Sequence, residues 1–369
     1  MQQARPLGRT VSSSHLFVLT VLLAISSTAG AFSFYDSMAG GTPLSAIGAL
    51  SDAICGQRST YHWDALAIFT NPAGLAALHG PTATASAGAL SWKEVTSYGS
   101  ERQLRSSTIP GTRSLAGSIP VDGRLTAGAG VAVVSDAYYV GTHSLQDASV
   151  PGGSPLLEIL HANGGQYEAL AGLGYDAGHG LSVGASGGMR FGEVDLDYAL
   201  YDPFTGQNDS TSLTTLETSE AAVRCGSMLS GEIGSLGVSY CTAGRRFPAS
   251  IAVGAEAVAP HIGGTVAGFE LQVSSPFGRN DIDGRFACRY PVSARTVLMA
   301  GLSFGDYTSS LGKGMGFSVG GTRSVGPVRL DLGAHWWTRN REGSAFEGEA
   351  ADEIDDSTFE FALGVTYAP

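Results

Sequence analysis

The chain has 369 residues, 52 of them glycine, with 43% hydrophobic and 15% charged residues and a mean hydropathy of +0.09. Glycine is about double its usual share without a Gly-X-Y period, and the chain is too apolar to stay disordered, which excludes both a collagen-like and an unfolded polymer. Lys+Arg 21 against Asp+Glu 33 gives a net charge of −12, which argues against nucleic acid, whose binders carry basic patches.

The first residues read as an export signal. Arg5 and Arg9 precede an apolar run from Leu16 to Ile25, and Ala29-Gly30-Ala31 supplies a small-x-small cleavage site. The run is shorter than the ~18 to 20 residues a membrane-spanning helix needs. Cleavage after Ala31 leaves 369 − 31 = 338 residues with 21 − 2 = 19 basic and 33 acidic groups, a net charge of −14. Export permits disulfides, yet Cys55, Cys225, Cys241 and Cys288 lie far apart without a C-x-x-C spacing. The last three fall on expected strands, where cysteine is more often an apolar filler than a bridge; one bonded pair stays open.

Residues 32–80 lack strand alternation. They contain MAGG at Met38–Gly41 and DALAIFTNPAGLAAL from Asp64 to Leu78. Asn-Pro starts turns, so Asn71 is expected to cap a short helical turn that begins at Pro72 and runs through Ala73 and Gly74 into an apolar stretch.

Beyond residue 81 the recurring signal is alternation with period two. Tyr167, Ala169, Ala171, Leu173 and Tyr175 share one face, with Glu168, Gly172 and Gly174 on the other. Val328, Leu330, Leu332, Ala334 and Trp336 alternate with Arg329, Asp331, Gly333 and His335. Fourteen such strands are expected, near 82–93, 112–121, 124–138, 166–176, 180–197, 216–228, 232–241, 249–259, 265–273, 284–291, 295–305, 313–323, 327–338 and 357–367. Short links (Asp122-Gly123, 177–179, 229–231, 324–326) alternate with long ones (94–111, 139–165, 198–215, 274–283, 339–356). The pattern predicts an all-β fold, a transmembrane antiparallel β-barrel with short periplasmic turns and long external loops. Lipid offers no partner to a free N–H or C=O, so the last strand must pair with the first. Glycine suits the lumen face, where it admits close backbone approach. A secreted soluble β-sandwich or propeller alternates equally well; the aromatic strand ends and apolar outward faces weigh against it.

The phrase from Met38 to Leu78 resembles the N-terminal region of the FadL-type long-chain fatty-acid transporters and the related PorV-type outer-membrane proteins. There a small-residue-rich segment precedes an acidic residue, an aromatic and an NPA or NPAGLA run ahead of the first strand. The resemblance implies a signal peptide over 1–31, a hatch or plug over 32–80 holding Asn71, Pro72, Ala73 and Gly74, and an outer-membrane barrel over 81–369. It also implies passive uptake of hydrophobic molecules such as long-chain fatty acids, without a cofactor, and a kinked strand through which ligand leaves sideways. The PorV-like branch implies an alternative, a structural or interaction barrel that serves secretion or surface attachment of exported proteins and transports nothing small. The compactness of the barrel, 369 − 80 = 289 residues over fourteen strands, favours that branch. The insertion Ile54–Trp63 and the ending Tyr367-Ala368-Pro369 depart from the pattern, and alternation does not locate the kinked strand.

Enzyme signatures do not survive counting. G-x-S-x-G occurs at 180–184, 184–188, 301–305 and 316–320, all on period-two segments without the helix a nucleophile elbow needs. Histidines lack H-E-x-x-H spacing, so no metal site is expected, and Gly312-Lys313 lacks the rest of a phosphate loop. Glu168, Arg190, Arg224, Glu270, Arg285, Arg289, Arg329, Asp331, His335 and Glu360 fall on the less apolar strand faces. Arg at mid-membrane facing lipid costs ~2 to 4 kcal/mol, so these side chains are expected to face the lumen. They serve there either as a salt-bridged brace for barrel and hatch or as a polar guide for a ligand carboxylate, with Arg285 and Arg289 the first candidates. In the second long link, Leu156, Leu157, Ile159 and Leu160 form an apolar loop patch that either collects a hydrophobic ligand or packs the loop. Glu347, Glu349, Asp352, Glu353, Asp355 and Asp356 crowd the last one, as a solvated run or a divalent-cation bridge to lipopolysaccharide. The partners so read are outer-membrane lipid and lipopolysaccharide, with a hydrophobic small molecule or, alternatively, an exported protein.

Overall fold

The computed structural model describes residues 42–44, 46–98, 101–145, 156–202, 207–244, 248–274, 281–307, 312–342 and 353–369. The expected signal, Met38–Gly41, Glu347, Glu349 and Asp352 lie outside them.

A two-residue strand, β1 (Thr42–Pro43), leads into the inner segment, and the wall follows as β2 (Thr82–Tyr98), β3 (Glu101–Pro120), β4 (Leu125–Asp136), β5 (Tyr139–Leu145), β6 (Leu156–Gly178), β7 (Leu181–Asp202) and β8 (Gln207–Gly231). It continues through β9 (Gly234–Cys241), β10 (Ser250–Ala259), β11 (Thr265–Ser274), β12 (Asp281–Ser293), β13 (Thr296–Tyr307), β14 (Gly312–Val325), β15 (Val328–Glu342) and β16 (Glu353–Tyr367). Both β4 and β5 pair with β6, so they are one strand broken at Ala137-Tyr138, and the wall has fourteen strands. All pairs are antiparallel, and β16 closes on β2 from Glu353↔Ser97 to Tyr367↔Ala83.

Alternation decides which residue faces where. Val183, Met189 and Phe191 point outward and are exposed, while Ser182, Ser186 and Arg190 on the other parity are buried. Tyr167 stacks on Phe191 across β6 and β7 on the outer face, with ring centroids 5.8 Å apart. An outer surface of exposed Leu, Val and Phe around a polar lumen inverts a soluble sandwich and matches a wall solvated by lipid. The turn joining β3 to β4 forms because Asp122 Oδ1 accepts from the N–H groups of Arg124 and Leu125, both at 2.7 Å. Those donors hold its carboxyl below the ordinary range.

Two expectations need correction. The strands run far beyond the expected ends: 94–111 and 139–165, read as loops, are largely β2, β3, β5 and β6. There the inward face is itself partly apolar, as at Tyr139, Leu160 and Ala162, so the apolar-out, polar-in alternation fades while ladder pairing continues. The break in the third wall strand, which alternation did not locate, lies at Ala137-Tyr138, beside a register shift between Val133 and Ser135.

That break opens a seam. The ladder between β3 and β4 runs only from Pro120↔Thr126 to Ser114↔Ala132. Among the described residues the β3–β4 ladder has no partner for Glu101–Gly111 of β3. On the β4 side β1 takes the place instead, Thr42↔Asp136 and Pro43↔Ser135, and Leu44 N donates to Val134 O at 2.9 Å. The seam begins level with Tyr167, the ladder partner of Val133.

The inner segment fills the lumen with helix α1 (Ala49–Asp52) and two 3-10 turns, Ala65–Phe69 and Pro72–Ala77. Its Ile47, Leu50, Ile54, Leu66, Ile68, Phe69 and Leu75 form an apolar core against wall alanines such as Ala116, Ala132 and Ala222. Contact this close needs wall residues without side chains. A Cβ at Gly184 would strike the Pro72–Ala73 backbone, and one at Gly237 would strike Ser59 O. On the same strand as Gly184 but of the opposite parity, a Cβ at Gly187 would meet only Ala222 O, at 3.8 Å.

Gly184→Val is therefore expected to lift the inner segment, an overpacking cost of about 1–3 kcal/mol, while Gly187→Val is tolerated. Limited trypsin cleavage after Arg58 in detergent reads the difference; equal cleavage in both variants would contradict it.

Candidate functional site

Three lumen contacts fasten the inner segment to the wall. Asp64 caps the first 3-10 turn by accepting from Leu66 N at 2.9 Å and takes the Tyr61 hydroxyl at 3.0 Å. Arg329 reaches the same carboxylate at 2.7 Å, Asp331 at 2.8 Å and Trp63 O at 2.8 Å. Glu270 accepts from Arg58 N (2.8 Å), Ser59 N (2.6 Å) and Ser59 Oγ (2.7 Å) on one side and Arg285 (2.8 Å) on the other. Arg285 also donates to Gly56 O at 3.2 Å. At the third contact Asn71 Oδ1 accepts from Ala73 N at 3.1 Å, and its amide donates to Ser59 O, Ser227 O and Val238 O. Asn71 thus serves as turn cap and wall anchor together, with Pro72 opening the turn and Ala73 and Gly74 buried inside it.

The other predicted polar residues sort into neighbouring groups. Glu168 pairs with Arg190 (3.3 Å) and Arg224 (2.6 Å), all buried, and Arg190 also reaches Glu220 at 3.4 Å. Arg289 pairs with Glu256 at 2.6 Å and lies over the Trp63 ring, 4.1 Å from its centroid. His335 and Glu360 are ladder partners and both buried. Burial and the facing charge of Glu360 raise the Asp52 carboxyl well above the ordinary range, against the pull of Arg113. Burial, with Arg285 and Arg224 nearby, lowers the Arg58 guanidinium to about 10.

The serines of the G-x-S-x-G matches lie within strands β7, β13 and β14. Ser186 Oγ donates to Ile68 O at 2.9 Å and Ser318 Oγ to Ala53 O at 3.0 Å, so both fasten the inner segment. The cysteines are free, with Cys55 and Cys241 buried and Cys225 and Cys288 exposed. Among the described residues no cluster of His, Cys, Asp or Glu is fit to hold a metal ion.

Leu156, Leu157, Ile159 and Leu160 belong to β6 rather than to a loop, because β5 and β7 pair on both sides of them, Ile159 with Thr142 and Ala199. Leu160 turns inward and joins Leu90, Trp92, Tyr139, Val194 and Leu196 in an apolar patch of the lumen wall. Trp92 and Tyr139 stack there, with centroids 5.4 Å apart. The patch includes Ala137 at the strand break and Leu44 next to β1, so it lines the seam. At the foot of the seam Arg113 is 7% exposed, and the carboxylate its charge acts on is that of Asp52. Sequence reasoning missed Arg113 because it sits at a bulge, opposite the Ser86/Ala87 register shift. It missed Asp64 and Glu256 as well; the signal available was the need of each inward arginine for a counter-charge.

No protein-family model and no curated protein sequence matches the chain. Solved structures do match its shape. The toluene transporter TodX of Pseudomonas putida aligns with a TM-score of 0.65 at 13% identity over 88% of this chain and 99% of that one. The monoaromatic hydrocarbon channel CymD aligns at 0.59 and 12%, over 88% and 98%. The toluene transporter TbuX of Ralstonia pickettii aligns at 0.58 and 12%, over 88% and 99%. At such identities the likeness is one of fold, a closed fourteen-strand antiparallel barrel.

Replacing Glu270 with Ala takes from Arg285 its nearest carboxylate and from the Arg58 and Ser59 amides their acceptor, a loss of about 3–5 kcal/mol for a broken buried pair. Trypsin cleavage after Arg58 should rise steeply in that variant; a wild-type digestion rate would show that the contact does not hold the segment.

Proposed function

We propose that the chain is an outer-membrane barrel, long loops outward, that passes hydrophobic molecules such as long-chain fatty acids passively and without a cofactor. The ligand enters from the long-loop end and rests on Leu90, Trp92, Tyr139, Leu160 and Leu196. It leaves sideways through the seam between β3 and β4–β5 when β1 gives way. The observation that carries this reading is the coincidence of the apolar lumen patch with the height at which the β3–β4 ladder ends among the described residues. Residues 32–80 act as the hatch, and the buried ion pairs brace it.

Arg113 supports an acid as the ligand. Arg190, Arg224, Arg285, Arg289 and Arg329 each pair with a carboxylate of the protein, which favours bracing over ligand guidance for Arg285 and Arg289. Arg113 makes no such close ion pair among the described residues, its charge acting only at longer range on Asp52, and it stands where the exit begins. The hydrocarbons named for the similar structures need only the apolar patch. The PorV-like alternative, a barrel serving exported proteins, draws support from the braced, filled part of the lumen; the seam has no use in it.

Uptake of labelled oleate and labelled toluene by cells making the barrel separates these readings. Wild type is expected to raise uptake of both above cells without the barrel, and Leu160→Asp with Leu196→Asp to abolish it. Arg113→Gln should weaken oleate alone, by about tenfold to a hundredfold for a lost charge-assisted hydrogen bond. No uptake through a correctly inserted wild-type barrel would overturn transport in favour of the protein-serving alternative.

A further inference from the structure

The chain contains two lysines, Lys93 and Lys313, 220 positions apart (313 − 93). Both line one groove of about 420 Å³ at the long-loop end of the wall. Alternation places the groove on the outer face. Lys93 on β2 and Lys313 on β14 are exposed and share the outward parity of Phe359 on β16, Trp336 on β15 and Phe317 on β14. Those three are the last aromatics of the lipid-facing band here. One outward step beyond them come Ser357, Thr338 and Met315, and the next step brings Asp355, Asn340 and Lys313. The groove therefore lies where acyl chains give way to headgroups.

Its chemistry is that of an anion site with a sugar-like floor. Neither lysine has an ion pair among the described residues. Three strand steps, about 14 Å, separate β14 from β2, and the two cations stand at the ends of that span. Between them lie the hydroxyls of Thr338 and Ser357 and the amide of Asn340, which donates to Asp355 at 2.9 Å. Asp355 offsets part of the positive charge, so the site suits anions held at the two ends rather than a continuous anionic surface. The other side of the same end has the opposite sign: just past Phe191, exposed Glu193, Asp195 and Asp197 on β7 and Glu217 on β8 face outward.

We infer that this groove binds the headgroup of an outer-leaflet glycolipid bearing more than one phosphate, with Lys93 and Lys313 each taking a phosphate and the polar floor taking the sugars. The site rests on the barrel being an outer-membrane protein with its long loops outside. It fixes one side of the barrel against the leaflet, with a single wall strand, β3, between it and the seam.

The probe is bis-phosphorylated lipid A, with dephosphorylated lipid A and phosphatidylglycerol as controls, binding to the full barrel in detergent by native mass spectrometry. Lys93→Gln with Lys313→Gln should weaken lipid A binding roughly 30-fold, the loss expected for two charges at an anionic lipid surface, and dephosphorylation should weaken it in wild type alike. Arg124→Gln with Arg323→Gln at the short-turn end is expected to leave it unchanged. Equal lipid A binding by wild type and the double lysine variant would overturn the site, as would phosphatidylglycerol binding as tightly as lipid A. Heat-modifiable migration of both proteins distinguishes the failures. A wild type that does not migrate as a folded barrel removes the membrane reading and this site with it; an intact barrel indifferent to the lysines removes the site alone.

Discussion

Every feature of this molecule answers to the backbone hydrogen bond in a solvent that cannot supply one. In hydrocarbon an unpaired N–H or C=O costs several kcal/mol, so a lipid-facing sheet must close. Closure is met by β16 on β2 over fifteen successive partners, Glu353↔Ser97 through Tyr367↔Ala83. The same demand makes a place where it is not met by a neighbouring wall strand informative, and among the described residues β3 and β4 form one such place. Above Ser114 and Ala132 the wall of β3 and β4 parts, and β1, from the inner segment, supplies pairing to β4 in place of β3. A gap of this kind in a membrane wall persists only where something lines or plugs it. Here the lining is apolar and the plug is a dipeptide of backbone.

The inner segment is held by polar contacts that the low-dielectric lumen makes costly to break one at a time. Glu270 and Asp64 each serve two masters, a wall arginine and backbone donors of the segment. Removing either takes a near carboxylate from a buried arginine and leaves buried N–H groups of the segment without an acceptor. Small wall residues complete the fit, since Gly184 and Gly237 stand where any side chain would collide with the segment. The lower lumen is thus rigid and filled, while the region beside Trp92, Tyr139 and Leu160 is apolar and adjoins a wall that is only partly paired. The polar bracing and the apolar lining lie at different heights of one barrel.

Much of this was legible in the sequence. Tyr167–Tyr175 declares its two faces outright, and Asp122-Gly123 declares its turn. Asn71 was readable as a cap, because Asn before Pro has that local chemistry whatever surrounds it. The hairpin extensions over 94–111 and 139–165 were not, since alternation reports two unlike faces and fades where the inward face is apolar as well, as at Tyr139, Leu160 and Ala162. The loop reading of Leu156–Leu160 failed for the same reason. The seam was hidden because it is a property of register: nothing in β3 taken alone says that pairing with β4 stops at Ser114. Arg113 was hidden by the bulge that shifts its parity, and Asp64 and Glu256 by distance along the chain from the arginines they neutralise.

The account turns on whether β1 governs passage through the seam, and a disulfide tests that directly. Pro43 and Ser135 are ladder partners, a spacing within the reach of a disulfide. In a barrel carrying Pro43→Cys and Ser135→Cys, oxidation should bring oleate uptake down to the level of cells without the barrel, and reduction should restore it. Full uptake with the bond formed would contradict the account, because ligand would then be crossing by a route that does not involve the seam.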